Sequence, residues 1–120
     1  MRQHQIITAY RTLETLSDNE FLTETDQWNL YKLRKLLKPH FDFQAEREES
    51  IREKYQDNIN SDGTIEGKPA ELFLKDMQAI QNLDVELEEF TKPKIKMVKG
   101  ITFKTIEPLE DFIEFLPPAE

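Results

Sequence analysis

Apolar residues recur at helical spacing through the first half of the chain. Ile6, Tyr10, Leu13 and Leu16 lie four, three and three apart, which predicts an amphipathic helix over residues 5–16. Ser17-Asp18-Asn19-Glu20 breaks the pattern with residues that favour caps and turns. Thr25 or Asp26 is placed to cap a second helix, with Trp28, Leu30, Leu33, Leu36 and Leu37 as its apolar face. Pro39 lacks a backbone donor and crowds the carbonyl four residues back, so a kink or short break is expected near Leu36 to Pro39. The helical pattern resumes through Phe41, Ala45, Ile51 and Tyr55, and the charged run Glu46-Arg47-Glu48-Glu49 between them reads as a solvated face.

Residues 58–69 hold two glycines and a proline and read as a loop. Phe73, Met77 and Ile80 restore helical spacing over residues 70–83, and the loop is long enough for this helix to fold back antiparallel on the long one. The period then changes to two. Val85-Glu86-Leu87-Glu88 alternates, as does Lys94-Ile95-Lys96-Met97, which predicts an antiparallel β-hairpin within residues 84–106 with acidic and basic outer faces opposed. Ile101 to Lys104 reads as a further extended stretch. In residues 107–120, Pro108 fits the first turn of a short helix carrying Leu109, Phe112, Ile113 and Leu116, ended by Pro117-Pro118. The expected fold is one predominantly α domain of the α+β class. It has an antiparallel helical hairpin with a kinked long helix, a small antiparallel β-hairpin and a short C-terminal helix.

Composition narrows the function classes. Sixteen basic against twenty-four acidic residues leave a net charge of −8 over 120 residues. That balance argues against a nonspecific nucleic-acid-binding module and against docking on an anionic membrane. There is no cysteine, which excludes disulfides, thiolate metal sites and a cysteine nucleophile. No apolar run is long enough to span a bilayer, and the first residues lack the apolar core of a signal peptide. No cofactor and no small-molecule substrate is expected.

Four features carry candidate chemistry. Asn58-Ile59-Asn60-Ser61-Asp62-Gly63-Thr64-Ile65-Glu66 resembles the opening of an EF-hand calcium loop, with Asn58, Asn60 and Asp62 as ligands, Gly63 at the turn and Ile65 as the buried hydrophobe. The twelfth position, where a chelating glutamate belongs, is Pro69, so a turn built on Asp62-Gly63 is the favoured reading. His4 and His40 are the two histidines; His40 with Asp42 is the one acid–base pair that can be drawn, and no nucleophile accompanies it. Lys92, Lys94, Lys96, Lys99 and Lys104 form a basic ribbon free of acidic residues, read as protection of an exposed strand rather than as a contact for an acidic partner. Most of the aromatic residues are expected in a small core, with Phe21 and Trp28, or Phe112 and Phe115, able to form an apolar surface that a partner covers.

One further comparison concerns the order of segments. The charged Arg47-Glu48-Glu49-Ser50-Ile51-Arg52-Glu53-Lys54-Tyr55 is followed by a turn at Asp62-Gly63, the helix Phe73-Leu74-Lys75-Asp76-Met77, the alternating Val85-Glu86-Leu87 and a Leu109/Phe112/Ile113 element. Over residues 30–116 this arrangement resembles a family of small proteins of unknown function encoded by tailed bacteriophages and prophages. The resemblance implies a viral or prophage origin and brings no functional residues with it. The expected function is a non-enzymatic accessory protein in virion structure or assembly, located in the virion or the host-cell cytoplasm. Its partner would be a phage protein, a host protein or a second copy of itself. The alternative is an acidic inhibitor of a host nucleic-acid-binding defence enzyme, which would bind a basic protein in a salt-sensitive way.

Overall fold

The computed structural model describes residues 1–118. The elements run α1 (Gln3–Leu16), α2 (Glu24–Lys54), a 3-10 turn at Gln56–Asn58, α3 (Lys68–Gln81), β1 (Lys94–Lys96), α4 (Phe103–Leu109) and β2 (Glu114–Leu116). The fold is mostly helical with one two-stranded sheet.

Helix α2 starts earlier than the expected caps at Thr25 or Asp26. Thr23 is the cap: its Oγ1 accepts from the Asp26 backbone N–H at 3.1 Å, and Asp26 Oδ2 accepts from the Thr23 N–H at 3.4 Å. This reciprocal pair satisfies two donors that a bare helix end leaves open. Of the kink or short break expected near Pro39, the break does not occur: α2 runs through the proline for 31 residues. Lys35, whose carbonyl loses its donor to Pro39, is exposed like the proline itself, so water can satisfy the orphaned oxygen. Apolar packing on both sides of the proline keeps the helix continuous.

Two apolar clusters share α2. The larger joins Ile6, Ala9, Leu13 and Leu16 of α1 to Leu30, Leu33 and Leu37 of α2, and Ile95, Leu109, Phe112 and Ile113 close it. The smaller consists of Ile51, Tyr55 and Ile80, with Ile65, Phe73 and Met77 packed around them. Three buried residues belong to neither cluster, the apolar Ile7 and the polar Gln3 and Gln44. Gln3 donates from Nε2 to the His40 carbonyl at 2.7 Å, and Gln44 donates to Glu48 at 2.9 Å while its own Oε1 has no partner. The second half of α2 and α3 therefore form an arm that leaves the body. The Cα radius of gyration is 17.9 Å and the extents are 57 × 31 × 19 Å. A compact chain of this length would have a radius near 14 Å, so the arm dominates the shape.

The expected antiparallel β-hairpin is replaced by a parallel pair. Lys94, Ile95 and Lys96 align with Glu114, Phe115 and Leu116, and α4 makes the crossover. The alternation at Val85 to Glu88 is present in the burial, with Val85 and Leu87 half-buried and Glu86 and Glu88 exposed. Its backbone partner, however, is the N-terminus. The Gln3 N–H donates to the Leu83 carbonyl at 2.9 Å and the Val85 N–H to the Met1 carbonyl at 2.8 Å. Periodicity reports which side of a strand meets a core, and is silent on which strand lies beside it.

The C-terminal helix also differs from expectation. Helix α4 occupies Phe103–Leu109, the stretch read as extended, and Pro108 stands in its last turn rather than its first. Phe112 and Ile113 are buried in the turn that follows, where both N–H groups donate to the Leu109 carbonyl at 2.9 Å, and Leu116 lies in β2. The last two residues of the expected helix-and-tail segment 107–120, Ala119 and Glu120, lie outside the described residues.

Candidate functional site

The arm presents an open face. Tyr55 lies beside Asp76 and Ile51 beside Ile80, so α2 and α3 run antiparallel, as the helical-hairpin reading expects. Beside their small core, the helices border a groove of about 450 Å³ that reaches Ile51 and Ile80. Its α2 wall is Phe43, Arg47, Ser50 and Lys54, spaced four, three and four. Its α3 wall is Asp76, Ala79 and Leu83, and Leu72 extends the same stripe by one helical turn. Phe43 is 45% exposed, Leu72 43% and Leu83 42%. Three large apolar side chains on one face of a marginal helix pair are the kind of exposure that marks an interaction surface.

One polar cluster fixes the distal end of this groove. The Tyr55 hydroxyl donates to Asp76 Oδ2 at 2.7 Å and Lys54 Nζ to the same oxygen at 3.1 Å. The Tyr55 hydrogen bond, then the Lys54 ammonium, hold the Asp76 carboxyl below its ordinary 3.8. The same contacts raise Tyr55 and Lys54, each chiefly through its hydrogen bond to Asp76. The cluster joins the end of α2 to the middle of α3 across 21 residues of sequence, which locks the hairpin angle. Its groups are mutually neutralised, and the arrangement is that of a structural clasp.

The calcium-like loop resolves as the turn. Gly63 has φ 86°, a conformation open to glycine, and its N–H donates to the Asn60 carbonyl at 2.9 Å. Asp62 Oδ1 accepts from the Thr64 hydroxyl at 2.6 Å and the Thr64 N–H at 3.0 Å, contacts that lower its pKa. The Asn60 amide donates to Thr64 Oγ1 at 3.2 Å. Asn60 and Asp62 thus bond within the loop, while Asn58 ends the preceding 3-10 turn and Ile65 packs on the small cluster. Among the described residues no three His, Asp or Glu side chains are grouped to hold a metal ion.

His40 and Asp42 are not brought together. Two residues apart on α2, they point to different sides, and Asp42 accepts from Lys38 Nζ at 2.9 Å. His4 is exposed on α1. The five ribbon lysines are exposed, and none forms an ion pair among the described residues. Lys94 and Lys96 flank the buried Ile95 on a strand with one partner, which fits the edge-protection reading.

The aromatic residues divide differently from expectation. Phe112 and Tyr55 are buried, and Phe41 stacks on Tyr10 at 4.6 Å. Trp28, placed by its spacing on the apolar face of α2, is 58% exposed and stacks on Tyr31 at 5.5 Å. Phe21 is exposed too, with the Lys99 ammonium 5.8 Å from its ring centre. The Phe112–Phe115 surface does not form, because Phe112 is a core residue stacked on Phe90. The arm face is what the sequence reading missed. Its signal is there: the four-three-four spacing of Phe43-Arg47-Ser50-Lys54 repeats in Leu72-Asp76-Ala79-Leu83.

No helix among the described residues is long and apolar enough to cross a membrane. No family model, curated protein or solved structure matches this chain.

Proposed function

We propose that this chain is a non-enzymatic accessory protein of a tailed phage or prophage, acting through protein–protein contact in the particle or during its assembly. The viral setting rests on the resemblance carried by residues 47–55, 62–63, 73–77, 85–87 and 109–113. The mode of action rests on one observation: an arm projects from the body and exposes Phe43 and Leu83 on a groove, with Leu72 exposed one helical turn beyond it. A helix pair with three buried residues gains little from its own packing, and covering its open face adds apolar burial at about 25 cal/mol per Å². The place of action on this reading is the virion or the host-cell cytoplasm, and the partner is a protein.

The test is co-sedimentation. Particles and assembly intermediates from phage-producing cells, separated on a density gradient, should carry the chain at a fixed ratio to a structural protein. A chain found wholly in the unassembled fraction would defeat the reading.

A further inference from the structure

Charge is spread unevenly over the chain. Nine of its sixteen Lys and Arg residues lie in residues 27–41 and 90–106, two segments without a single Asp or Glu. The rest of the chain carries seven basic residues against all twenty-four acidic ones. The fold brings the two segments together. Leu30, Leu33 and Leu37 share one core with Ile95. At the surface a groove of about 310 Å³ opens between the segments, with Asn29, Lys32 and Leu36 on one bank and Phe90, Thr91 and Pro93 on the other. From Pro93 beside Lys32 the chain passes to Lys99 beside Phe21, so the lysine ribbon runs antiparallel to the start of α2. Lys38 pairs with Asp42, whereas Lys32, Lys35 and the ribbon lysines form no ion pair among the described residues.

Exposed rings stand among these charges. Trp28 stacks on Tyr31 at 5.5 Å, and Lys32 Nζ is 6.0 Å from the Trp28 ring centre. Phe21 has Lys99 Nζ at 5.8 Å, and all three rings are exposed. Edge protection accounts for Lys94 and Lys96, which lie on the strand, and gives no role to the α2 lysines or the rings. Unpaired cations beside open aromatic faces are the combination that holds unpaired bases. We propose that this seam binds single-stranded nucleic acid, with Phe21 and the Trp28–Tyr31 pair stacking on bases and Lys32, Lys35 and the ribbon lysines holding phosphates. An acidic peptide would meet the lysines and gain nothing from three open rings. A duplex would offer phosphates while keeping its bases stacked on one another. The ligand is additional to the protein partner proposed for the arm, and the two surfaces are separate.

The surface is short and its affinity is low. Helix α2 from Glu24 to Lys35 spans about 17 Å at 1.5 Å per residue, room for about five stacked nucleotides at 3.4 Å each. Glu24 bounds it at one end, and Glu86 and Glu88, which share a groove with Lys32 and Lys35, bound it at the other. The net charge of −8 opposes a polyanion at long range, and physiological salt screens that repulsion beyond about 8 Å. Binding therefore falls within the roughly 1–100 μM of nonspecific complexes.

Trp28 is the only tryptophan of the chain, so its fluorescence reports on the proposed stack. The full chain, titrated with oligothymidylate or oligouridylate of about 12 nucleotides in roughly 50 mM salt, should lose at least about a third of its tryptophan emission at saturation. Anisotropy of the labelled oligomers gives the dissociation constant. Lys32→Glu, Lys99→Glu and Phe21→Ala should each weaken binding at least about fivefold. Lys68→Glu, the same charge change on the exposed start of α3, should weaken it less than about twofold, and circular dichroism checks that each variant keeps its helix content. The slope of log affinity against log salt should be about −2 to −3.5, as for three to five phosphates neutralised on a single strand. Binding of either oligomer supports the inference, and the tighter one identifies the sugar.

No quenching up to about 500 μM oligomer, a salt slope near zero, or equal affinity for a duplex of the same length each overturns the inference. So does an equal loss from Lys68→Glu and Lys32→Glu, which would make net charge the cause. A polyglutamate peptide that displaces the oligomer as well as unlabelled oligothymidylate does would also overturn it, and would assign the seam to an acidic protein segment.

Discussion

Ile80→Ala should open the arm and leave the body closed. Ile80 is one of three buried residues in the arm cluster, set between Ile51 and Tyr55. The substitution removes three carbon atoms, worth about 2.4 kcal/mol at 0.8 kcal/mol per methylene. Isoleucine-to-alanine changes in closed cores cost about 2–5 kcal/mol, the upper values coming from cavities that stay empty. The groove beside Ile80 is open, so its walls can relax, and a local cost of about 2–3 kcal/mol follows. Helix α3 has 14 residues, near the lower limit at which an isolated helix persists in water. The polar step at Gln3 and Gln44 separates this loss from the larger cluster, which includes Leu13, Leu30 and Leu37. Amide hydrogen exchange read by mass spectrometry should therefore accelerate roughly 30- to 100-fold in α3 and in α2 beyond Gln44, at 1.4 kcal/mol per tenfold. Exchange in α1 should stay as in the parent protein. An equal acceleration in α1 would mean that arm and body unfold as one unit, and the division into two cores would be wrong.

Three further outcomes follow from named contacts. Gly100→Ala should lower stability by about 2–3 kcal/mol in a thermal melt, because an added Cβ would suffer backbone strain at φ 94° and lie 2.9 Å from Asn19 Nδ2, which donates to the Lys99 carbonyl. Thr23→Ala should cost about 1 kcal/mol in urea unfolding by removing the cap of α2, and Thr25→Ala should cost less. Asp76 has its pKa lowered in the fold, so its contribution is complete above the ordinary 3.8 and is lost as pH falls through the folded value. Arm amides should accordingly lose protection in acid ahead of those in α1, and Asp76→Asn should remove that difference.

The helices were largely legible in the sequence because helical spacing and burial coincide. Ile6, Leu13 and Leu16 on α1, Leu30, Leu33 and Leu37 on α2, and Ile80 on α3 are all buried. Local rules failed where the deciding partner was distant. Val85 and Leu87 alternate as a strand does, yet Met1 and Gln3 supply the hydrogen bonds to this stretch, from a distant part of the chain. Phe103 looks like a strand residue and is 85% exposed at the start of α4, because the buried positions of that stretch are Ile101 and Leu109. Pro39 suggests a kink or short break on local grounds, and tertiary packing at both ends of α2 keeps the helix unbroken. The candidate site was hidden for a related reason. Arg47 and Lys54 lie in a charged run that reads as solvated surface, and only the placement of α3 beside it brings Ala79 and Leu83 to the same face.

Whether the arm face is covered when the protein is at work is open to direct measurement. Hydroxyl-radical labelling with mass-spectrometric readout compares Phe43, Leu72 and Leu83 in dilute purified protein and in phage-producing cells. Phe103, on the body and the most exposed of the large apolar residues, serves as the internal standard. The account predicts that all three arm residues label readily in the dilute protein and become protected severalfold in the cell, while Phe103 is unchanged. Equal labelling of the arm in both states would contradict it.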